Sequence, residues 1–319
     1  MARQTDKQGQ QPDSAGYIPK FEWSFLSPRY WGVWFGIFVL IVLTFSPVRF
    51  RDRFLSRLGR FIGRKIKSAR QRAQINLAQC FPEKSEAQRD EIIDEMFSII
   101  LPVTVLLVDL TIKKTRVKIN WHGFEHITQA HNHQRNVIFM VPHAWAIDIP
   151  AILLAKKGYA MSGMFHHQSN KLVDWLWNKS RIQYGGQIHA REDGIKPFVQ
   201  SIRQGNWGFY LPDEDHGIEQ SVFVDFFGTY KATLPILGRL MKLCKADVIP
   251  LFPSYDLKNS ELNIYLHPPM NDLADKDDDY IARRMNEEIE RFVTPDLKQY
   301  AWVLRFLKTR KSDDPELYS

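Results

Sequence analysis

From Val137 to Val141 the chain reads Val-Ile-Phe-Met-Val, apolar at every position, and then meets Pro142. A short run of this kind, led in by Asn136, is of strand type. Successive side chains of a strand point to opposite faces, so a strand with no polar side must be covered on both. Similar runs follow at Tyr159–Phe165, Trp207–Leu211 and Val248–Phe252, and Glu261–His267 alternates like a half-exposed strand. Helical stretches lie between them: Ile149–Lys157 closed by Gly158, Lys171–Arg181, Ile195–Gln204 ended by Gly205, and Tyr230–Lys245. Two more helices, Asp278–Val293 and Leu297–Lys308, finish the chain. Ahead of the first strand, Ser85-Glu-Ala-Gln88 is a capping box for a helix reaching about Ile100, and Trp121–Gln134 reads as a connection with a short helix. Strands alternating with helices imply an α/β fold whose central sheet is covered on both faces. The 319 residues suffice for one large domain of this kind or two small ones.

The amino-terminal part has a different character. Residues 1–16 are polar, rich in Gln and Asp, and expected to be disordered. Arg29 and Arg49 then bracket an uncharged run from Tyr30 to Val48. As a helix it would extend about 28 Å, close to a hydrocarbon core of about 30 Å. Tyr30, Trp31 and Trp34 would form an interfacial belt at one end. Residues 17–48 are therefore expected to be a membrane anchor with a transmembrane helix over about 30–48. A secretory leader is the poorer reading, because the apolar run begins late and a basic segment follows it. That segment, 49–72, carries Arg49, Arg51, Arg53, Arg57, Arg60, Arg64, Lys65, Lys67, Arg70 and Arg72 against Asp52 alone. Phe54, Leu58, Phe61, Ile62 and Ile66 recur among the charges at helical spacing, which predicts an amphipathic helix on the inner leaflet of the membrane. A solvated charged helix is the alternative. The positive-inside bias places the main body, 73–319, on the cytoplasmic side. The net charge of +7 calls for anionic partners, and the adjoining span favours lipid over nucleic acid. Cys80 and Cys244 lie far apart without metal-type spacing and read as reduced residues of a cytosol-facing domain.

Four short blocks at strand ends or turns carry candidate chemistry. The first is His143-Ala-Trp-Ala-Ile-Asp148, the second Gly185-Gly-Gln-Ile-His-Ala-Arg191 with Arg181 before it. The third is Tyr210-Leu-Pro-Asp-Glu-Asp-His-Gly217 and the fourth Val248-Ile-Pro-Leu-Phe-Pro253. An imidazole held by a carboxylate has a fixed tautomer and is a better base toward a hydroxyl. On one straight helix His143 and Asp148 would not meet, so the pair requires His143 in the loop and Asp148 in the following first turn. The spacing equally admits Asp148 as a plain N-cap and His143 as a buried hydrogen-bonded residue. Arginine forks at Arg181 and Arg191 suit phosphate or carboxylate, although either could be a surface ion-pair partner. His166-His167 and the His126, His131 and His133 group lack Cys or carboxylate at zinc spacing and read as surface or turn residues, so no metal is expected.

In this order the blocks resemble the His-x4-Asp acyltransferases of glycerolipid type, and more closely the late acyltransferases of lipid A biosynthesis. The resemblance covers the chain from about Tyr17 onward. It includes Pro28-Arg-Tyr-Trp31, Asn76-Leu-Ala-Gln-Cys-Phe-Pro82, Gly194-Ile-Lys-Pro-Phe198, Leu211-Pro-Asp-Glu-Asp-His-Gly217, Thr229-Tyr-Lys-Ala-Thr-Leu-Pro235 and Ile281-Ala-Arg-Arg-Met-Asn-Glu287. His143–Asp148 and Gly205-Asn-Trp-Gly-Phe-Tyr-Leu-Pro212 are most similar to the myristoyltransferase branch. The resemblance implies a mixed central sheet and a bacterial inner-membrane enzyme. It implies transfer of an acyl chain from acyl-acyl carrier protein to a hydroxyl on a 3-hydroxyacyl chain of the Kdo2-(lauroyl)-lipid A precursor, with no cofactor. His143 would take the proton, Asp148 would orient the imidazole, and Arg181 would stabilise the thioester oxyanion or hold substrate. Arg191 and Asp213 would shape the site or bind the anionic head group, or Asp213 would instead position Arg181 or Arg191. The rivals are a lysophospholipid acyltransferase using the same pair and a non-catalytic lipid-binding membrane protein.

Overall fold

A computed structural model of the protein describes residues 16–112 and 115–318. Two short 3-10 turns lead into helices α1 (Trp31–Thr44), α2 (Val48–Lys65), α3 (Lys67–Cys80) and α4 (Glu86–Thr111). The alternating part follows: β1 (Lys118–His122), α5 (Phe124–Asn132), β2 (Asn136–Met140), α6 (Asp148–Lys156), β3 (Met161–Phe165), α7 (Lys171–Arg181), β4 (Gln187–Ala190), α8 (Lys196–Arg203) and β5 (Trp207–Tyr210). A hairpin of β6 (Val222–Phe226) and β7 (Thr229–Thr233) precedes α9 (Ile236–Cys244), β8 (Ala246–Asp256), β9 (Glu261–Leu266) and α10 (Asp278–Val293).

Seven strands form one mixed sheet in the order β1-β9-β8-β2-β5-β3-β4, and β6 pairs with β7 separately. β8, β2, β5, β3 and β4 run parallel, while β9 is antiparallel to β8 and β1 parallel to β9. Val137, Ile138, Phe139 and Met140 of β2 are each 0% exposed, as a strand covered on both faces must be. One core joins α3, α8, α9 and α10 to one face, and a second joins α4, α5 and α6 to the other. The helical crossovers bring the carboxyl ends of β2, β3, β4 and β5 to the same edge, where open α/β sheets bind ligands.

The expected transmembrane helix is not found: among the described residues no helix is long and apolar enough to cross a membrane. α1 has 14 residues, about 21 Å, and breaks at Ser46-Pro47. It packs along α4, yet Trp31, Phe35, Phe38, Val42 and Phe45 stay exposed. The basic segment is two helices, α2 and α3, and α2 is amphipathic as expected. Its apolar stripe, Phe54, Phe61 and Ile62, faces outward. The inward face is instead Arg51, Asp52, Leu55, Gly59 and Gly63. A Cβ on Gly59 would lie 2.4 Å from the Phe97 carbonyl oxygen of α4, and one on Gly63 2.3 Å from the Phe97 ring. Arg51 is therefore no surface charge; it is buried between Asp52 and Asp109, at 3.3 and 2.9 Å, and Asp52 also accepts from the Tyr255 hydroxyl.

Other differences have local causes. Ser85 and Gln88 form the capping box, but α4 continues beyond Ile100 to Thr111 through Pro102. Tyr230–Lys245 divides into β7 and α9, because Tyr230-Lys-Ala-Thr pairs with Val222–Asp225 across the hairpin. Leu297–Lys308 is a single 3-10 turn, Leu297–Gln299, followed by irregular chain. Its backbone bonds go elsewhere: Ala301 N–H donates to the His143 carbonyl at 2.8 Å, and the Gln299 carbonyl accepts from Trp145 at 3.3 Å. Asn76 of α3 donates to the carbonyls of Trp302 and Leu304 at 2.6 and 2.7 Å. Strands β1, β4 and β6 were not foreseen. Cys80 and Cys244 are both free and buried. The expectation of a disordered amino terminus lies outside the described residues, apart from Gly16.

Since α2 lies closest to α4 at Gly59 and Gly63, Gly59→Val should destabilise the fold by about 1–3 kcal/mol through overpacking. Thermal unfolding followed by circular dichroism reads this, and an unchanged midpoint would show that α2 does not pack as described.

Candidate active site

β2 ends in the buried Val141, whose N–H donates to the Tyr210 carbonyl of β5 at 2.9 Å. This bond holds the loop after β2 beside the loop after β5. Pro142 stops the ladder, and His143 stands at its end. Its ring Nδ1 lies 2.5 Å from Asp213 Oδ1, and its backbone N–H donates to Asp213 Oδ2 at 2.8 Å. Asp213 is fully buried, and the buried Tyr300 phenol faces it. A carboxylate that grips both the backbone and the ring of one histidine fixes its rotamer and places the donor proton on Nδ1. Nε2 then points toward solvent-accessible space, 3.5 Å from Glu214 Oε1.

The carboxylate on His143 is thus Asp213, and the expected His143–Asp148 contact is corrected. Asp148 is the first residue of α6 and caps nothing. Its hydrogen bonds go to α7: Arg181 Nε donates to Oδ1 at 2.8 Å, Arg181 Nη2 to Oδ2 at 3.2 Å, and Trp177 Nε1 to Oδ2 at 2.6 Å. The fork of Arg181 matches the two carboxylate oxygens, which a nearby imidazole could not do. Asp148 and Trp177 therefore fix the guanidinium, and Asn178 Oδ1 accepts from its Nη1 at 3.2 Å.

Arg191 comes from the turn after β4. It pairs with Glu214, and its Nη1 lies 2.9 Å from His166 Nε2 at the end of β3. Hence His143, Arg191 and Asp213 form one connected cluster through Glu214, and Arg181 lines the same cavity. That cavity, of about 150 Å³, is bordered by His143, His166, Arg181, Arg191 and Glu214. A second cavity of about 100 Å³ shares Met164, Arg181, Phe209 and Leu211 with it. Its remaining walls are mostly apolar, among them Ile147, Ile152, Met161 and Ile188, with Gly163 between. The fourth block forms the middle of β8, buried in the core, and lines neither cavity.

The electrostatics follow from the geometry. Burial opposes charge on His143, but Asp213 and Glu214 outweigh it and raise the imidazolium to about 9. Burial likewise disfavours the Glu214 carboxylate, yet His143 and Arg191 hold it down at about 2. Asp213 is also lowered, its burial outweighed by His143. Shifts of this kind, produced by burial together with specific charge partners in a cleft, make the cluster a candidate functional site. Glu214 and Trp177 were not singled out from the sequence. The signal for Glu214 was the run of three consecutive carboxylates, Asp213–Asp215, which demands cations nearby. The signal for Trp177 was its place one turn before Arg181.

Residues 18–309 match the model of the bacterial lipid A biosynthesis acyltransferases. The chain is 53% identical to the lipid A biosynthesis myristoyltransferase of Escherichia coli K12 over 96% of both proteins. It is 50% identical to a lipid A biosynthesis acyltransferase of Haemophilus influenzae over 95% of each. Against the lauroyltransferase of Escherichia coli K12 the identity is 26%, over 94% of this chain and 99% of that one. The site just described sits within the matched region, and the chain belongs to the bacterial lipid A biosynthesis acyltransferase family, with its stronger likeness on the myristoyltransferase side.

Proposed function

We propose that this enzyme transfers a myristoyl chain from acyl-acyl carrier protein to a hydroxyl on a 3-hydroxyacyl chain of the Kdo2-(lauroyl)-lipid A precursor. The observation that carries this reading is the convergence of four parallel strand ends on His143, with Asp213 gripping its ring and backbone. His143 Nε2 takes the hydroxyl proton as the oxygen attacks the thioester carbonyl. The tetrahedral oxyanion collapses, the new ester forms as the C–S bond breaks, and the imidazolium gives its proton to the departing thiolate, which releases the carrier thiol and returns His143 as the free base. Arg181 lines both cavities and stabilises the oxyanion. Asp148 serves by holding Arg181 rather than His143. Arg191 and His166, at the mouth, face the anionic head group of the acceptor. General base and oxyanion donor together supply the chemistry, so no metal or organic cofactor is required.

The surface fits the same reading. The exposed apolar residues of α1 and α2 lie beside Arg49, Arg53, Arg57 and Arg60, which favours seating on the anionic inner leaflet of the bacterial inner membrane. The positive balance also suits an acidic carrier protein.

The decisive assay presents the purified protein with the lauroylated precursor and with lysophosphatidic acid, each with acyl-carrier donors. Transfer to lysophosphatidic acid alone would reject the proposed acceptor. His143→Ala should reduce transfer by at least ~10²-fold. Because the imidazolium persists to about 9, free base accumulates as pH rises, and kcat/KM should climb across pH 7–9. Asp213→Asn removes the carboxylate that raises His143, so its rising limb should move to lower pH while the maximum falls by about 10²-fold. Asp148→Asn should lower the rate with the limb unmoved. The reverse pattern in the two variants would return the orienting role to Asp148.

The apolar cavity is the proposed acyl groove. A Cβ on Gly163 would meet nothing closer than Phe209 at 4.0 Å, so the space there is open. Gly163→Val, or a larger residue at Met161 or Met164, should shift donor preference from 14 carbons toward shorter chains. Identical preferences across a donor panel from 10 to 16 carbons would place the chain elsewhere.

A further inference from the structure

Lys231 is fully buried in β7, opposite Val224 of β6. Its ammonium donates one long bond, 3.3 Å, to the Ala232 carbonyl, and it forms no ion pair among the described residues. Lysine is almost never buried without a partner. The acidic groups close enough to act on it electrostatically are Asp213, Asp215 and Glu214, and Lys231 in turn acts on the next residue, His216. Each of these carboxylates is committed to another group. Asp213 holds His143, Glu214 holds Arg191, and Asp215 accepts from the Thr309 N–H and hydroxyl at 2.7 and 2.6 Å. Lys231 therefore lies beneath three negative charges as a cation paired with none of them.

The charge count shows the consequence. Arg191 balances one carboxylate of the run. With no further cation, a proton on His143 would be the main compensation for the rest, and a protonated imidazole cannot accept the hydroxyl proton. His143 is faced by Asp213 and Glu214 from the loop after β5, by Tyr300 behind Asp213, and by Arg191 and His166 through Glu214. Arg310, next to Thr309, is a second cation in this neighbourhood, but it pairs with Asp314 at 3.7 Å; Lys231 is the fully buried one, and neither a hydrogen bond nor an ion pair ties it to a carboxylate. Burial disfavours its charge and the three acidic residues restore part of it.

We propose that Lys231 is a positioning residue for acyl transfer: its buried ammonium offsets part of the Asp213–Asp215 run and thereby increases the share of His143 that is free to accept a proton. This rests on His143 acting as the base. The hairpin of β6 and β7 then has a role in the chemistry without touching substrate.

The test is kcat/KM between pH 6 and 10 for wild type, Lys231→Met, Lys231→Gln and Lys231→Arg, using acyl-carrier donor and lauroylated precursor. Removing the ammonium should move the rising limb to higher pH by about half a unit to one unit, lowering activity at pH 7 about three- to ten-fold. The high-pH plateau should stay within about three-fold of wild type, and Lys231→Arg should return the limb. A uniform loss at every pH, an unmoved limb, or a shift to lower pH in whichever uncharged variant folds overturns the proposal. So does loss of folding in both uncharged variants with Lys231→Arg folded, since the charge would then serve stability alone. Failure of the underlying reading has its own signature: His143→Ala would keep the wild-type limb.

Discussion

The carboxylate of Asp213 accepts from His143 twice, once from the backbone N–H and once from the ring. These two bonds tie the loop after β2 to the loop after β5, so the geometry of the site is set by a strand pairing and not by a flexible contact. A side chain held at both ends loses its freedom during folding, before any substrate arrives. The rest of the cluster then has little choice. Glu214 follows Asp213 on the same loop and must find a cation, which Arg191 provides from the end of β4. Asp148, left without the histidine, binds the fork of Arg181.

Two acid–base units result. In the proposed mechanism Asp213 and His143 handle the proton, and Asp148 and Arg181 handle negative charge developing on oxygen. Separating them has a physical advantage. A carboxylate shared between an imidazole and a guanidinium would weaken both contacts, whereas here each keeps its own acceptor. The guanidinium also stands where the polar cavity meets the apolar one, at the place where a thioester would change from chain to carbonyl.

Much of this was legible in the sequence, in specific places. The apolar run before Pro142 announced a two-sided strand, and α7 and α10 have the boundaries that periodicity implies. His143, Arg181, Arg191 and Asp213 all reach one edge of the sheet. The partner of His143 was not legible. Residue spacing reports only local reach, and the true partner lies 70 positions away on the loop after the adjacent strand β5. Tyr230–Lys245 misled because a strand and a helix abut there with continuous apolar content. Leu297–Lys308 misled because its helical period is real, while its backbone is claimed by the His143 loop and by Asn76. The apolar run after Arg29 has the composition of a span, but Ser46-Pro47 and the flank of α4 decide its length.

The claim of the final segment on the His143 loop also bears on how the enzyme is made. Ala301 and Gln299 close a loop whose histidine was synthesised more than a hundred and fifty residues earlier, and Thr309 fastens Asp215. Contacts so distant in sequence form late, after the loop-closure entropy between them has been overcome. The exposed apolar α1–α2 surface is therefore synthesised well before the stretch from Gln299 to Thr309 that closes the His143 loop and fastens Asp215.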